Sequence, residues 1–106
     1  MENKTKAETF IGFAIRTGKY KIGVNAVNTL KKANLIIVCK SASENTKKDA
    51  EKLAKRFHCP QIETVNFTLE QLTYRENAKV MAVADKSLAK AILDNLENDF
   101  TLKTGE

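Results

Sequence analysis

Acidic residues are missing from one third of this chain. No Asp or Glu lies between Glu8 and Glu44, while Arg16, Lys19, Lys21, Lys31, Lys32 and Lys40 fall inside that window. The whole net charge of +5 therefore originates there, and the rest of the 106-residue chain is slightly acidic. Histidine and proline occur once each, cysteine twice, and no Cys-x-x-Cys is present. Two such thiols do not make a disulfide scaffold or a zinc ribbon, and Cys39 and Cys59 read as buried reduced residues. Long apolar runs are also missing. The longest, Leu35-Ile36-Ile37-Val38-Cys39, is far short of the ~20 residues of a membrane span. The opening Met1-Glu2-Asn3-Lys4 lacks a signal-peptide core, so a cytoplasmic protein without a membrane partner is expected.

These absences exclude most chemistries. A catalytic Cys/His pair must meet through space, whereas His58 and Cys59 are neighbours and rarely point at one another. Three soft or imidazole ligands in all, two of them adjacent, do not form a metal site. Gly18-Lys19-Tyr20-Lys21-Ile22-Gly23 has the glycine spacing of a phosphate loop. Val24-Asn25 follows where Lys and Ser/Thr are required, and no hydrophobic strand precedes it. A phospho-receiver domain needs acids at the early strand ends, within the acid-free window. The chain reads as a binder without catalytic residues, metal or cofactor.

What is present is a single domain of alternating helical and β-type segments over residues 1–106. The first helix is expected from Lys4 to Thr17, with Gly18 closing it. Tyr20-Lys21-Ile22 reads as a brief extended link, followed by a second helix from Val24 to Ala33. Leu35–Cys39 is continuous and β-branched, as a strand covered on both faces is. Ser43 is placed to cap a third helix reaching His58, and Pro60 bars its continuation. A strand over Ile62–Val65 follows. Thr68 and Gln71 have the spacing of a capping box, Val80–Ala84 reads as a buried strand, and Asp85 can cap a last helix through Leu96. The polar ending, residues 98–106, is expected to fray. The fold class is α/β: a three-layer α/β/α sandwich around a small, mostly buried mixed sheet of about four strands.

A segregated positive surface attracts polyanions, and nucleic acid is the first partner to consider. The run from Arg16 to Val27, then a helix, then the strand Leu35–Cys39, resembles the kink-turn RNA-binding superfamily of ribosomal proteins, the L-seven-Ae and L-thirty-e type. Ser41–Lys48 and Val80–Asp85 are similar to the corresponding segments of its small bacterial YlxQ-like branch. The likeness runs from about Phe10 to Leu96. It implies an α/β/α sandwich whose second helix points its N-terminus into a kinked RNA, in a ribosome-associated ribonucleoprotein.

In the family register, Gly23 and Asn25 match, while Ala26 and Thr29 stand where the family has a guanine-reading residue and a lysine. The resemblance thus implies Gly23 and Asn25 at the RNA, with Arg16, Lys19, Lys21, Lys31 and Lys32 on phosphates. Lys32 would share Asn25's helix face at seven residues' spacing. An ordinary N-cap is the alternative role for Asn25. Tyr20 could stack on a base or pack against the first helix, and the basic stripe Lys48, Lys52, Lys55 and Arg56 could be a solvated helix face. Two other functions fit the same fold: a protein–protein interaction module, and a stand-alone relative of an RNA-modifying enzyme's substrate-binding domain.

Overall fold

The computed structural model describes residues 6–65, 67–96 and 100–103. In chain order the elements are α1 (Lys6–Thr17), β1 (Tyr20–Ile22), α2 (Val24–Asn28), β2 (Leu35–Val38), α3 (Glu44–Phe57), β3 (Gln61–Thr64), α4 (Leu69–Thr73), β4 (Val80–Val83), α5 (Lys86–Leu93) and β5 (Phe100–Leu102). The strands form one sheet in the order β1-β4-β2-β3-β5. β2 and β3 run parallel, with α3 between them in sequence, and the other three pairings are antiparallel.

β2 and β4 are buried at every position, because alternate side chains enter different layers. Leu35, Ile37, Cys39, Met81 and Val83 join the core beneath α1, α4 and α5. Ile36, Val38, Val80 and Ala82 join the core beneath α2 and α3. The apolar run read from sequence is thus a strand covered on both faces, and the architecture is an α/β/α sandwich. Full burial of each large aliphatic side chain contributes roughly 1.5–3 kcal/mol, which makes these two strands the main source of cohesion.

Local signals set the helix ends. Gly18, at φ 75°, closes α1: its N–H donates to Ile15 O (3.3 Å) and the Lys19 N–H to Ala14 O (3.0 Å). Ser43 accepts the Thr46 N–H, Thr68 and Gln71 form the reciprocal capping box, and Asp85 accepts the Leu88 N–H. α3 ends with the same two-bond closure as α1, but its left-handed residue is His58, at φ 54°. Glycine suits that conformation better. His58→Gly should therefore raise stability by about 0.5–1 kcal/mol, measured as a higher urea midpoint at unchanged m-value.

The last helix ends at Leu93, with Asp94 as its C-cap, instead of at Leu96, and the structure departs further from the sequence expectation at three places. Tyr20–Ile22 is a strand rather than a link, because it finds an antiparallel partner in Val83–Met81, some sixty residues away. The second helix stops at Asn28 instead of Ala33. The Thr29 hydroxyl binds Ala26 O, and the Arg56 guanidinium takes the carbonyls of Asn28 and Leu30. Those carbonyls would otherwise accept N–H groups of a continuing helix, and Asn34 N–H instead pairs with Val83 O. The sheet has a fifth strand, Phe100–Leu102, inside the segment expected to fray. Phe100 is buried and meets Phe67 edge-on at 5.3 Å, and Thr64 and Ile62 pair with Phe100 and Leu102. The other residues of that segment, 98–99 and 104–106, lie outside the described residues, as does the expected helix start at Lys4. Among the described residues no helix is long and apolar enough to cross a membrane.

Candidate nucleic-acid interface

β1 hands over to α2 at Gly23, whose φ of 96° falls where glycine is favoured. Its N–H donates to Val80 O (2.8 Å), which fixes this corner against the start of β4. Gly23 is the N-cap and provides no side-chain hydrogen bond. Asn25 is therefore not the cap: it is the second residue of the helix, exposed, and its amide makes no hydrogen bond among the described residues. The capping alternative is removed, and an uncommitted donor–acceptor pair stands at the corner. Ala26 is half-buried, and the Thr29 hydroxyl is spent on Ala26 O at 2.6 Å.

The α4–β4 connection, residues 74–79, lies beside this corner, since Lys79 precedes Val80 and its carbonyl accepts the Cys39 N–H (2.8 Å). Glu70 holds the loop. Its carboxylate accepts the Asn77 N–H (2.8 Å) and the Lys79 ammonium (3.0 Å), and Lys79 also donates to the Ser41 hydroxyl (2.8 Å). Asn77 takes a left-handed conformation, φ 61°, which Asn tolerates better than most residues. Arg75 reaches back to donate to the Tyr20 hydroxyl (2.9 Å), with its guanidinium 5.8 Å from the ring centre. Tyr20 packs on the α1/α4/α5 core layer, the second of its two expected roles.

The remaining cations do not gather at Gly23. Lys19 sits at the opposite end of the sheet: its carbonyl accepts the Ala84 N–H beyond the end of β4, and its ammonium pairs with Asp85 (3.3 Å). Lys31 and Lys32 lie in the irregular stretch leading to Asn34, which binds Val83 O at that same end. Four residues of strand separate the two ends by about 13 Å. With α2 ending at Asn28, the helical argument placing Lys32 on the face of Asn25 fails. The expectation that one positive surface surrounds the start of the second helix is corrected accordingly. Lys21 is exposed midway along the edge strand, and Arg16 lies in the last turn of α1 over the Phe13 ring (4.7 Å). Lys21, Lys31 and Lys32 have no ion pair among the described residues.

The family resemblance marks Arg75–Lys79 as the loop that in the family covers a flipped nucleotide, but it does not single out Lys40 as a neighbour of the Gly23 corner. Lys40 follows β2, remains exposed and donates to Val65 O (3.0 Å). No linear pattern announces Lys40 there, because sheet pairing is what brings the strand ends together. On α3, Lys48, Lys52 and Lys55 are exposed, whereas Arg56 is engaged with Asn28 Oδ1 (2.8 Å) and the end of α2. That residue of the basic stripe has a structural role.

Neither thiol is accessible. Both cysteines are free and buried, and burial pushes Cys59 up to about 11. Burial also opposes ionisation of Cys39. Hydrogen bonds from the Ser41 hydroxyl, the Leu69 and Ser41 N–H groups and the Thr64 hydroxyl outweigh it and hold this thiol below its ordinary value. The Leu69 N–H to Cys39 Sγ bond (3.3 Å) serves the start of α4. Among the described residues no group of three His, Cys, Asp or Glu is placed to hold a metal ion.

Two carboxylates tie the charge pattern to stability. The Leu88 N–H, against a smaller opposing effect of burial, and then Lys19 hold Asp85 below its ordinary 3.8. Lys79 and then the Asn77 N–H hold Glu70 below 4.5. A depressed carboxyl stabilises the fold above its unfolded value, and that contribution disappears as pH falls through the folded value. The urea midpoint should thus fall progressively on acidification below about pH 5, and Asp85→Asn, which can still cap α5, should make that decline shallower.

Fold and site define a small α/β/α sandwich whose sheet end carries an uncapped asparagine corner and a base-bearing loop. No protein-family model matches the chain, and no curated protein matches it. Among solved structures, a Bacillus halodurans protein described as having unknown function is similar over 86% of this chain and 96% of its own, with a TM-score of 0.72 and 21% identity. At that identity the likeness shows the fold.

Proposed function

We propose that this protein is a non-catalytic RNA-binding domain that recognises a structured, kink-turn-like RNA in a ribosome-associated setting in the cytoplasm. The observation that carries this reading is the Gly23–Asn25 corner. A backbone that only glycine adopts easily sits beside an exposed amide with no partner among the described residues, next to the loop bearing Arg75 and Lys79. An amide of this kind can donate to and accept from a base edge, and close backbone approach suits phosphate. Gly23 and Asn25 are the contact residues in this reading. Lys21 supplies charge along the edge strand, while Arg16, Lys31 and Lys32 contribute attraction from further away and Lys19 is offset by Asp85. Because Ala26 and Thr29 provide neither family contact, preference for a kink-turn over a plain duplex should be modest. A salt titration of binding to a kink-turn RNA and to a duplex of equal length tests the proposal. Binding to neither at low salt would falsify it.

A second reading, a protein–protein interaction module, draws on the edge strand β5. Leu102 is 54% exposed there and Val65, just past β3, is 40% exposed. An unpaired strand edge with apolar side chains can receive another chain's strand. Failure of RNA binding together with protein capture that is lost in Leu102→Asp would favour it.

A further inference from the structure

Two locally unfavourable choices meet in one groove on the layer opposite α2. Gly12 stands in the middle of α1, where glycine is the poorest residue after proline. A Cβ there would meet nothing within 4 Å, so packing does not require the glycine. Tyr74, at the end of α4, holds a left-handed backbone with φ 58° and is 85% exposed. Glycine or asparagine is preferred in that conformation, and a large aromatic gains little from water. Strain at an exposed position is a pointer to function. Both residues line the same cavity of about 360 Å³, with Ile15 and Leu72 as further apolar walls.

The groove has polar ends of opposite sign. Glu8 lies towards one end and Arg16 towards the other, about 12 Å apart along the helix. Arg16 has no ion pair among the described residues, and its guanidinium rests on the Phe13 ring. A ligand for this shape has a flat ring to cover the bare backbone at Gly12 and stack on Tyr74. It carries an anion for Arg16. We propose that the groove binds a single nucleotide, either free or as an unpaired residue of an RNA. Base–aromatic stacking tolerates any base, and the volume lies at the lower end of small-molecule pockets, ~300–1,000 Å³. This site does not rest on the Asn25 reading, since it uses the other helical layer.

The test follows amide and ring resonances of isotope-labelled protein during titration with adenosine monophosphate. With two tyrosines and no tryptophan in the chain, the Tyr74 ring is readily distinguished. Saturable shifts at Gly12 and Tyr74 are expected, with a Kd of about 1 mM or tighter. Gly12→Leu fills the groove and Tyr74→Gly removes the stacking face, and each should weaken binding by about tenfold or more. Both changes relieve a backbone cost, so both variants should melt a few degrees higher than the parent. Lost binding cannot then be attributed to lost folding. Arg16→Gln should remove the advantage of the monophosphate over adenosine. A short oligoadenylate separates the two sources: tighter binding than the monophosphate, equally sensitive to Gly12→Leu, assigns the groove to RNA, and equal or weaker binding assigns it to free nucleotide. Absence of shifts with both probes, or binding that survives both groove variants, overturns the proposal. Kink-turn binding that depends on Asn25 should be untouched by Gly12→Leu, so the two sites fail independently.

Discussion

Phe100→Ala should lower stability by about 3–5 kcal/mol, with a fall in melting temperature of more than about 10 °C. Phe100 is 5% exposed, belongs to the core beneath α1, α4 and α5, and packs edge-on against Phe67. Its backbone faces Thr64 in the β3–β5 pairing, and Lys103 N–H binds Gln61 O (2.8 Å) just beyond. Truncation therefore leaves a cavity and loosens the strand that covers that edge of β3. Leu102→Ala provides the control: its side chain is largely exposed, and a change within about 0.5 kcal/mol is expected. Equal, small effects of the two substitutions in urea melts would mean that residues 100–102 do not dock on the sheet in solution.

Asn25→Ala should cost about 1–3 kcal/mol on a kink-turn RNA and little on a plain duplex, because a base-edge contact carries sequence information. Lys31→Ala with Lys32→Ala should behave differently. These lysines lie at the other end of the sheet from Gly23 and have no ion pairs among the described residues. Their loss should weaken both RNAs alike, and each phosphate contact removed should flatten the slope of log K against log salt by roughly 0.7–0.9. An unchanged slope would show that the RNA does not extend to that end. Ala26→Glu with Thr29→Lys should increase the preference for the kink-turn. An equal loss on both RNAs in Asn25→Ala would reduce Asn25 to a non-specific contact.

Much of the local structure is legible in the sequence. Ser43, Thr68 with Gln71, and Asp85 cap the helices they were expected to cap, and Gly18 closes the first helix, because each acts through backbone groups within a few residues. The run Leu35–Cys39 is a central strand, since continuous β-branched apolar residues satisfy two cores at once. Gly23 and Asn25 were legible too, as a glycine turn followed by a helix start. What the sequence could not show is that the Asn25 amide is left without a hydrogen bond among the described residues while Gly23 takes the cap position.

Sequence alone determined the composition of the layers and the capped helix starts at Ser43, Thr68 and Asp85. Tertiary structure decided which short segments became strands and where the charges went. Tyr20–Ile22 and Phe100–Leu102 are three residues each, too short for their own pattern to hold, and they are strands because Val83–Met81 and Thr64–Ile62 offer them edges. The acid-free window looked like one positive surface because charge was counted along the chain. In space, β1 and the return to β2 carry its lysines to opposite ends of the sheet, Asp85 neutralises Lys19, and Arg56 ends α2 before Lys31. Capping acts over one helical turn and is written locally. Sheet pairing and charge placement act between residues tens of positions apart, so they appear only once the chain has folded.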